Sequence, residues 1–338
     1  MRVVVVGGTG LIGRNCVERL LRGGAKEGIT SVRLVARHVD VVADLAAAGV
    51  ELMPGDVTNS TFSRRAVTGM DVVINCAGRS GIGGPLRLYQ SNIEITATLL
   101  DAALSAKVYR FIHIGSPSIY FDLTNALNRG EDYRPQRLAD GYSESKFISD
   151  GMVLKANASG FGTLSIRPRF TSGRGDIRFL PRFIRLHELG LLRRIGSGQN
   201  MADFTAIANL SEAIFLSIRA PHEACGKAYN ITNDAPVNFW DFLDNVMAAV
   251  GLKSIRGSVP YWATYFAGWA VEKLSLVGER EPGLSRLSAA VLSHSMTMST
   301  ERAKTELGYQ PLQSNREMLA EFSNWYLALR ARADNGAT

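Results

Sequence analysis

Residues 1–14 read MRVVVVGGTGLIGR. Val3 to Val6 is a continuous β-branched run, not an alternating one. Such a run suits a strand covered on both faces, as in a parallel sheet. It leads straight into Gly7-Gly8-Thr9-Gly10-Leu11-Ile12-Gly13, and Leu11 to Leu21 then reads as a helix. GxxGxxG between a strand and a helix has a physical use. The turn is tight, the backbone can approach a pyrophosphate with no Cβ in the way, and the helix N-terminus offers N–H groups and a positive dipole end.

The same rhythm continues outward. Strands are expected at 31–35, 50–53, 71–74, 110–114 and 163–166, with helices at 39–48, 91–106 and 142–158. Parallel neighbours need crossover connections, so this alternation predicts an α/β fold of Rossmann type. Its doubly wound parallel sheet would carry helices on both faces. The nucleotide-binding part is expected to span 1–168, with returning segments near 203–220 and 228–232. Residues 169–202 and 233–330 would form a smaller C-terminal substrate-binding region, and 331–338 a flexible tail.

The chain has 338 residues, 46% hydrophobic and 20% charged, ordinary values for a globular protein. No basic stretch followed by a long apolar segment opens it, so a cytoplasmic location is expected. Cys16, Cys76 and Cys225 are far apart, which suits a reducing compartment and argues against a disulfide framework or a zinc site. The formal charge of +7 fits phosphate-bearing ligands or an anionic surface. No Lys/Arg-rich run with interleaved aromatics is present, so nucleic acid is not an expected partner.

The expected cofactor contacts follow the strand ends. Gly7, Thr9, Gly10, Leu11, Ile12 and Gly13 form the loop. After the second strand, Ala36 stands where an acid would accept from a ribose 2′-OH, and Arg37 follows. That arrangement, with Arg14 beside the third glycine, favours NADP(H) over NAD(H). Asp56, next to Val57, would accept from the adenine amino group. Cys76, Ala77 and Gly78 are small and would let the ribose lie against the backbone. Pro168 would turn the chain past the nicotinamide. No pattern for a metal is present.

Ser116 closes the fifth strand, and Tyr142 and Lys146 follow at i, i+4 on one helix face. Reduction of a ketone needs a hydride and a proton on oxygen. A free tyrosine, with a pKa of about 10, cycles poorly near neutrality. A neighbouring ammonium stabilises the phenolate and lowers that value.

Together GGTGLIGR, GDVT, NCAG, Asn92 in SNIEITATLLDAA, HIGSPSIY, YSESK, IRPRFTSGRGD and GKAYNITNDAPVNFWDF cover nearly the whole chain. They resemble the extended branch of the short-chain dehydrogenase/reductase superfamily, the epimerase/dehydratase-like group. Within it the last two segments are most similar to the 3β-hydroxysteroid dehydrogenase/isomerase group, which includes bacterial 2-alkyl-3-oxoalkanoate reductases. The resemblance implies that Ser116, Tyr142 and Lys146 are catalytic and that the protein is a homodimer. Two departures stand out. NCAG is closer to the shorter-chain branch, and Gly115 stands where a Ser or Thr is common, which is expected to change how the substrate oxygen is held.

The expected activity is therefore interconversion of a secondary alcohol and a ketone on a hydrophobic small molecule. The alternatives are a sugar-nucleotide epimerase, dehydratase or reductase, and a non-catalytic NADP-binding regulator. Arg169, Arg174, Arg178, Arg182, Arg185, Arg193 and Arg194 crowd the stretch after Pro168. Some would pair internally or stay solvated; others would hold an anionic group of the substrate. Residues 259–276, VPYWATYFAGWAVEKLSL, are too short in their apolar part for a membrane span. A buried helix covering a pocket is the favoured reading, and peripheral membrane contact the other.

Overall fold

The computed structural model describes residues 1–275 and 283–336. Seven strands form one parallel sheet: β1 (Arg2–Val6), β2 (Ser31–Ala36), β3 (Glu51–Pro54), β4 (Val72–Asn75), β5 (Arg110–Ile114), β6 (Gly162–Pro168) and β7 (Lys227–Ile231). Their order is β7-β6-β5-β4-β1-β2-β3. The order reverses at β1, so the crevice at the carboxyl ends of β1 and β4 is the natural place for a ligand.

The valine run of β1 shows why the strands are continuously apolar. Val3 and Val5 pack on one face with Val17 and Leu20 of α1 (Leu11–Gly23) and with Leu210, Ile214 and Ile218. Val4 and Val6 pack on the other, with Val67, Leu99, Ala103 and Val153. The second group comes from α2 (Ser60–Val67), α3 (Gln90–Ser105) and α4 (Gly141–Lys155). Every residue of β1 from Val3 to Val6 thus meets a helix layer, and none can be polar without cost.

Several elements differ from expectation. The helix expected at 39–48 is a 3-10 turn at Asp40–Val42 and a five-residue helix at Ala43–Ala47. α2 was not anticipated. Its sequence, STFSRRAV, has three apolar residues, Phe62, Ala66 and Val67, which share one face, and its start is held by the Asn59 side chain, which accepts from the Phe62 N–H.

The C-terminal half adds α5 (Phe179–Glu188), α6 (Ile207–Ile218), α7 (Phe239–Ala249), α8 (Tyr261–Ser275) and α9 (Asn315–Gly336). α6 lies against the first face of the sheet. α5, α7 and α9 enclose an aromatic core of Phe183, Phe204, Phe239, Trp240, Phe242 and Phe322, in which Phe204 and Phe242 stack at 3.9 Å. The stretch expected to be a tail is helical as far as Gly336, and 337–338 lie outside the described residues.

α8 is not a buried helix. Its small residues Thr264 and Gly268 face inward, where a Cβ on Gly268 would lie 2.6 Å from the Ser285 backbone. Tyr261 packs inward as well, but three large residues face out: Trp262 is 66%, Phe266 62% and Trp269 47% exposed. Residue 276 of the stretch expected to be buried lies outside the described residues. Among the described residues no helix is long and apolar enough to cross a membrane.

Candidate active site

The glycine loop closes against its neighbours at backbone distance. The Gly7 N–H donates to Val35 O at 2.8 Å and the Gly10 N–H to Gly7 O at 3.1 Å. Gly7 has φ +78°, and a Cβ there would lie 2.7 Å from the Ala77 backbone. A Cβ on Gly13 would lie 2.4 Å from Gly7 O. Both glycines are steric requirements of the turn. Gly10 caps α1 with no side-chain bond, so the first N–H groups of the helix stay available to an anion. Thr9, Leu11 and Ile12 sit on this turn, with Leu11 and Ile12 partly buried.

Arg37 stands exposed after β2, near enough to Asp56 to help hold its carboxyl below the ordinary value. The first cause of that lowering is the Thr58 N–H, to which the carboxylate is bonded at 2.9 Å. Val57 is buried beneath, among the helices of the second face. Arg14 is engaged elsewhere: it pairs with Asp44 and, at 3.1 Å, with Glu18.

The reaction centre is built from the ends of β4, β5 and β6. Ile114 is in register with Ile166, so Ser116, just after β5, stands level with Pro168, which ends β6. Ser116 Oγ accepts from the Ser118 N–H at 3.2 Å and caps the short turn Pro117–Tyr120. Tyr142 is the second residue of α4. Gly141 before it touches the 83–89 segment so closely that a Cβ would lie 2.2 Å from Leu86 N. Asp140 clamps the junction, accepting from Gly83 N–H at 2.6 Å and from Ser143 N–H at 2.8 Å. The Tyr142 ring then packs edge-on against Tyr89 at 5.4 Å.

Lys146, one turn on, is buried and donates to Ile114 O at 2.9 Å. Its Nζ lies 3.7 Å from where a Cβ on Gly78 would stand. The loop Cys76-Ala77-Gly78 therefore runs beside the lysine, with no side chain at 78 between them. Burial pulls the Lys146 ammonium down to about 8, with Asp150 acting against it. Burial, then the Lys146 charge, pushes the neighbouring His113 imidazole down to about 3, so His113 is neutral.

Under the site lies a buried ionic network. Asp150 pairs with Arg167, and Arg167 also donates to Tyr120 Oη and, at 3.1 Å, to Glu131 O. Burial alone would raise the Asp150 carboxyl, but Arg167 outweighs it and holds the group below its ordinary value. This network accounts for Gly115. A Cβ there would lie 2.6 Å from Ser165 Oγ and 2.8 Å from Asp150 Oδ1. The glycine makes room for the buried charge beneath it.

Two polar residues near the site were given no role by the sequence reading. Asn92, 3% exposed, accepts from Arg79 N–H at 2.7 Å and donates to Ser145 Oγ at 3.0 Å, tying the 76–79 loop to α4. The sequence offered it only as part of the motif SNIEITATLLDAA. Ser118 Oγ is buried with no hydrogen-bond partner, two residues beyond Ser116. Nothing in its sequence context separates it from a loop serine.

The dinucleotide turn at a switch point, with a serine, a tyrosine and a buried lysine beside it, defines a nicotinamide-dependent dehydrogenase/reductase of the extended short-chain class. The turn fits such a cofactor, since Gly10 leaves the start of the helix open and no side chain caps its first N–H groups. The chain belongs to the 3-beta hydroxysteroid dehydrogenase/isomerase family, whose model matches residues 4–259. It is 30% identical to a 2-alkyl-3-oxoalkanoate reductase of Stenotrophomonas maltophilia, over 94% of this chain and 97% of that one. It is 29% identical to a 4-hydroxy-2-methyl-3-oxo-4-farnesyl-3,4-dihydroquinoline-1-oxide ketoreductase of Stigmatella aurantiaca, over 91% and 92%. A dTDP-glucose 4,6-dehydratase of Streptomyces venezuelae, solved with NAD, superposes with a TM-score of 0.76 at 21% identity, covering 98% of both chains. That likeness concerns the fold.

Proposed function

We propose that this enzyme interconverts a secondary alcohol and a ketone on a hydrophobic molecule of 3β-hydroxysteroid or β-keto acid type. Tyr142 would be the proton donor and acceptor. The observation that carries the reading is the buried Lys146 Nζ, held by Ile114 O one helical turn from Tyr142 and beside the Gly78 gap. Bound NADPH would supply the hydride. Ser116, with Ser118 beside it, would hold the substrate oxygen. Tyr142 would give that oxygen its proton, and the Lys146 ammonium would stabilise the phenolate left behind. Residues 169–202 and 233–330 would form the substrate side. NADPH oxidation with hydrophobic ketones and β-keto acids tests this. Turnover of nucleotide sugars alone would replace it with the epimerase/dehydratase reading.

NADP(H) is the favoured cofactor, and the preference would rest on Arg37, since Arg14 is held by Asp44 and Glu18. NADPH is expected to bind tighter than NADH by about 10- to 100-fold, the worth of one charge-assisted contact. Arg37→Ala should erase the difference and Ala36→Asp should invert it, as read by fluorescence titration. Equal affinities in the wild type would remove the reading.

The partners proposed are a second copy of the chain and a lipid surface. α3 and α4 leave Leu104 and Phe147 exposed for a homodimer contact. On α8, Trp262, Phe266 and Trp269 recur at i, i+4, i+7 and form one exposed face. Arg193 lies against Gly257 just before this helix, and Arg182 donates to Gly283 O at 3.2 Å beyond it. Aromatics flanked by cations suit an anionic bilayer interface. The protein should sediment with phosphatidylglycerol vesicles, and replacing the three aromatics with serine should weaken this by about tenfold or more. Unchanged sedimentation of that variant would count against the contact.

A further inference from the structure

Seven arginines crowd residues 169–194, and the structure separates one from the rest. Arg174, Arg178, Arg182, Arg185 and Arg193 are exposed, and Arg194 pairs with Asp244. Arg169 is only 6% exposed, and its Nε has no hydrogen-bond partner. It makes no ion pair among the described residues. Its guanidinium lies over the Phe170 ring, 4.2 Å from the centroid. Its backbone is fixed: Thr205 Oγ accepts from the Arg169 N–H at 3.1 Å and donates to Arg169 O at 2.7 Å. Asp203 is near enough to act on it electrostatically, but its carboxylate accepts from Met298 N–H at 2.7 Å instead.

A buried cation without a hydrogen-bonded anion is costly. It persists where a ligand completes it. The location fits a ligand. Arg169 immediately follows Pro168, which ends β6 at the level of Ser116 on the neighbouring strand. Phe170 packs with the Ile119–Phe121 segment just beyond Ser116. We propose that Arg169 is the anion-binding residue of the substrate cleft and that the substrate is a keto acid whose carboxylate pairs with it. This rests on the alcohol/ketone reading above and narrows it to an anionic molecule. The cofactor's own phosphates are the other source of an anion. They belong at the glycine loop after β1, three strands from β6, which is about 14 Å across the sheet. Burial, opposed by Asp203, lowers the Arg169 guanidinium to about 10, as expected for a charge awaiting its partner.

The test compares a freshly prepared long-chain 3-oxo acid with its methyl ester, following NADPH oxidation by the full-length enzyme. The wild type should prefer the acid. Arg169→Met should lower kcat/KM for the acid by about 100-fold or more, mostly through KM, and leave the ester nearly unchanged. Arg169→Lys should recover part of the acid activity. Arg169→Met should also melt at or above the wild-type temperature, because it removes an unpaired buried charge. A clear fall in melting temperature would make Arg169 a structural partner of Asp203 and overturn the proposal. So would equal use of acid and ester by the wild type, or equal loss of both in the variant. A wild type that reduces neutral ketones but neither test compound would overturn the anion site and leave the alcohol/ketone reading standing. No turnover of any ketone would remove both.

Discussion

Tyr142→Phe should lower kcat for ketone reduction by about 10²- to 10⁴-fold, the contribution of a positioned proton donor. Cofactor binding should be unchanged, because the ring keeps its edge-on packing against Tyr89 and the helix keeps its Asp140 cap. Stopped-flow reduction and NADPH titration separate the two effects. Near-wild-type turnover would mean that another group protonates the substrate. The pH profile supplies a second reading of the same pair. Lys146 loses its proton near pH 8 in the folded protein, against 10.5 for the free side chain. Its ammonium is present below pH 8 and lost above it, so kcat/KM for reduction should fall as pH rises through 8. Stability should move the other way. Between about 8 and 10.5 the unfolded chain holds a proton that the folded one has released, so the lysine's contribution to stability increases with pH. Reductase activity that climbs steadily above pH 8 would contradict this assignment.

Asp150→Asn should be the most destabilising single change near the site. It leaves the Arg167 guanidinium, which has no exposed surface, without its carboxylate. Removing one partner of a buried pair costs about 3–5 kcal/mol. In a chain of this size that corresponds to a fall in melting temperature of order 10 °C. Replacing the pair together, as Asp150→Leu with Arg167→Met, should recover part of the loss, since no charge is then stranded. A single variant that melts with the wild type would show that water or another group already screens Arg167. The effect on catalysis should be indirect, through Lys146, whose charge Asp150 helps to keep.

The nucleotide half was legible because its signals are local. Four consecutive valines, a glycine spacing and a tyrosine–lysine pair each state a constraint within a few residues. Boundaries moved by one to three residues, as at β4, where Asn75 ends the strand and Asp71 precedes it. What was not legible depends on residues far apart in sequence. Arg194 pairs with Asp244, fifty positions on, whereas Arg169 makes no ion pair among the described residues, although the Nε of each lacks a hydrogen-bond partner. No composition or spacing distinguishes the two. The same holds for α8. Its sequence is apolar on nearly every side, and only the packing of Gly268 against Ser285 shows which side faces out. α2 escaped because it is only eight residues long, with three apolar residues, and its start is fixed by a side-chain cap.

Gly115 bears on protein engineering. A designer who aligns this chain with relatives carrying Ser or Thr there would be tempted to restore the hydroxyl. The backbone would accept it, but the added atom would press on Ser165 and Asp150 from above. Position 115 can therefore be transplanted only as part of a block, with 150, 165 and 167 exchanged at the same time. Chimeras cut between β5 and β6 would split that block, and their failures would look like lost activity when the fault is a crowded floor.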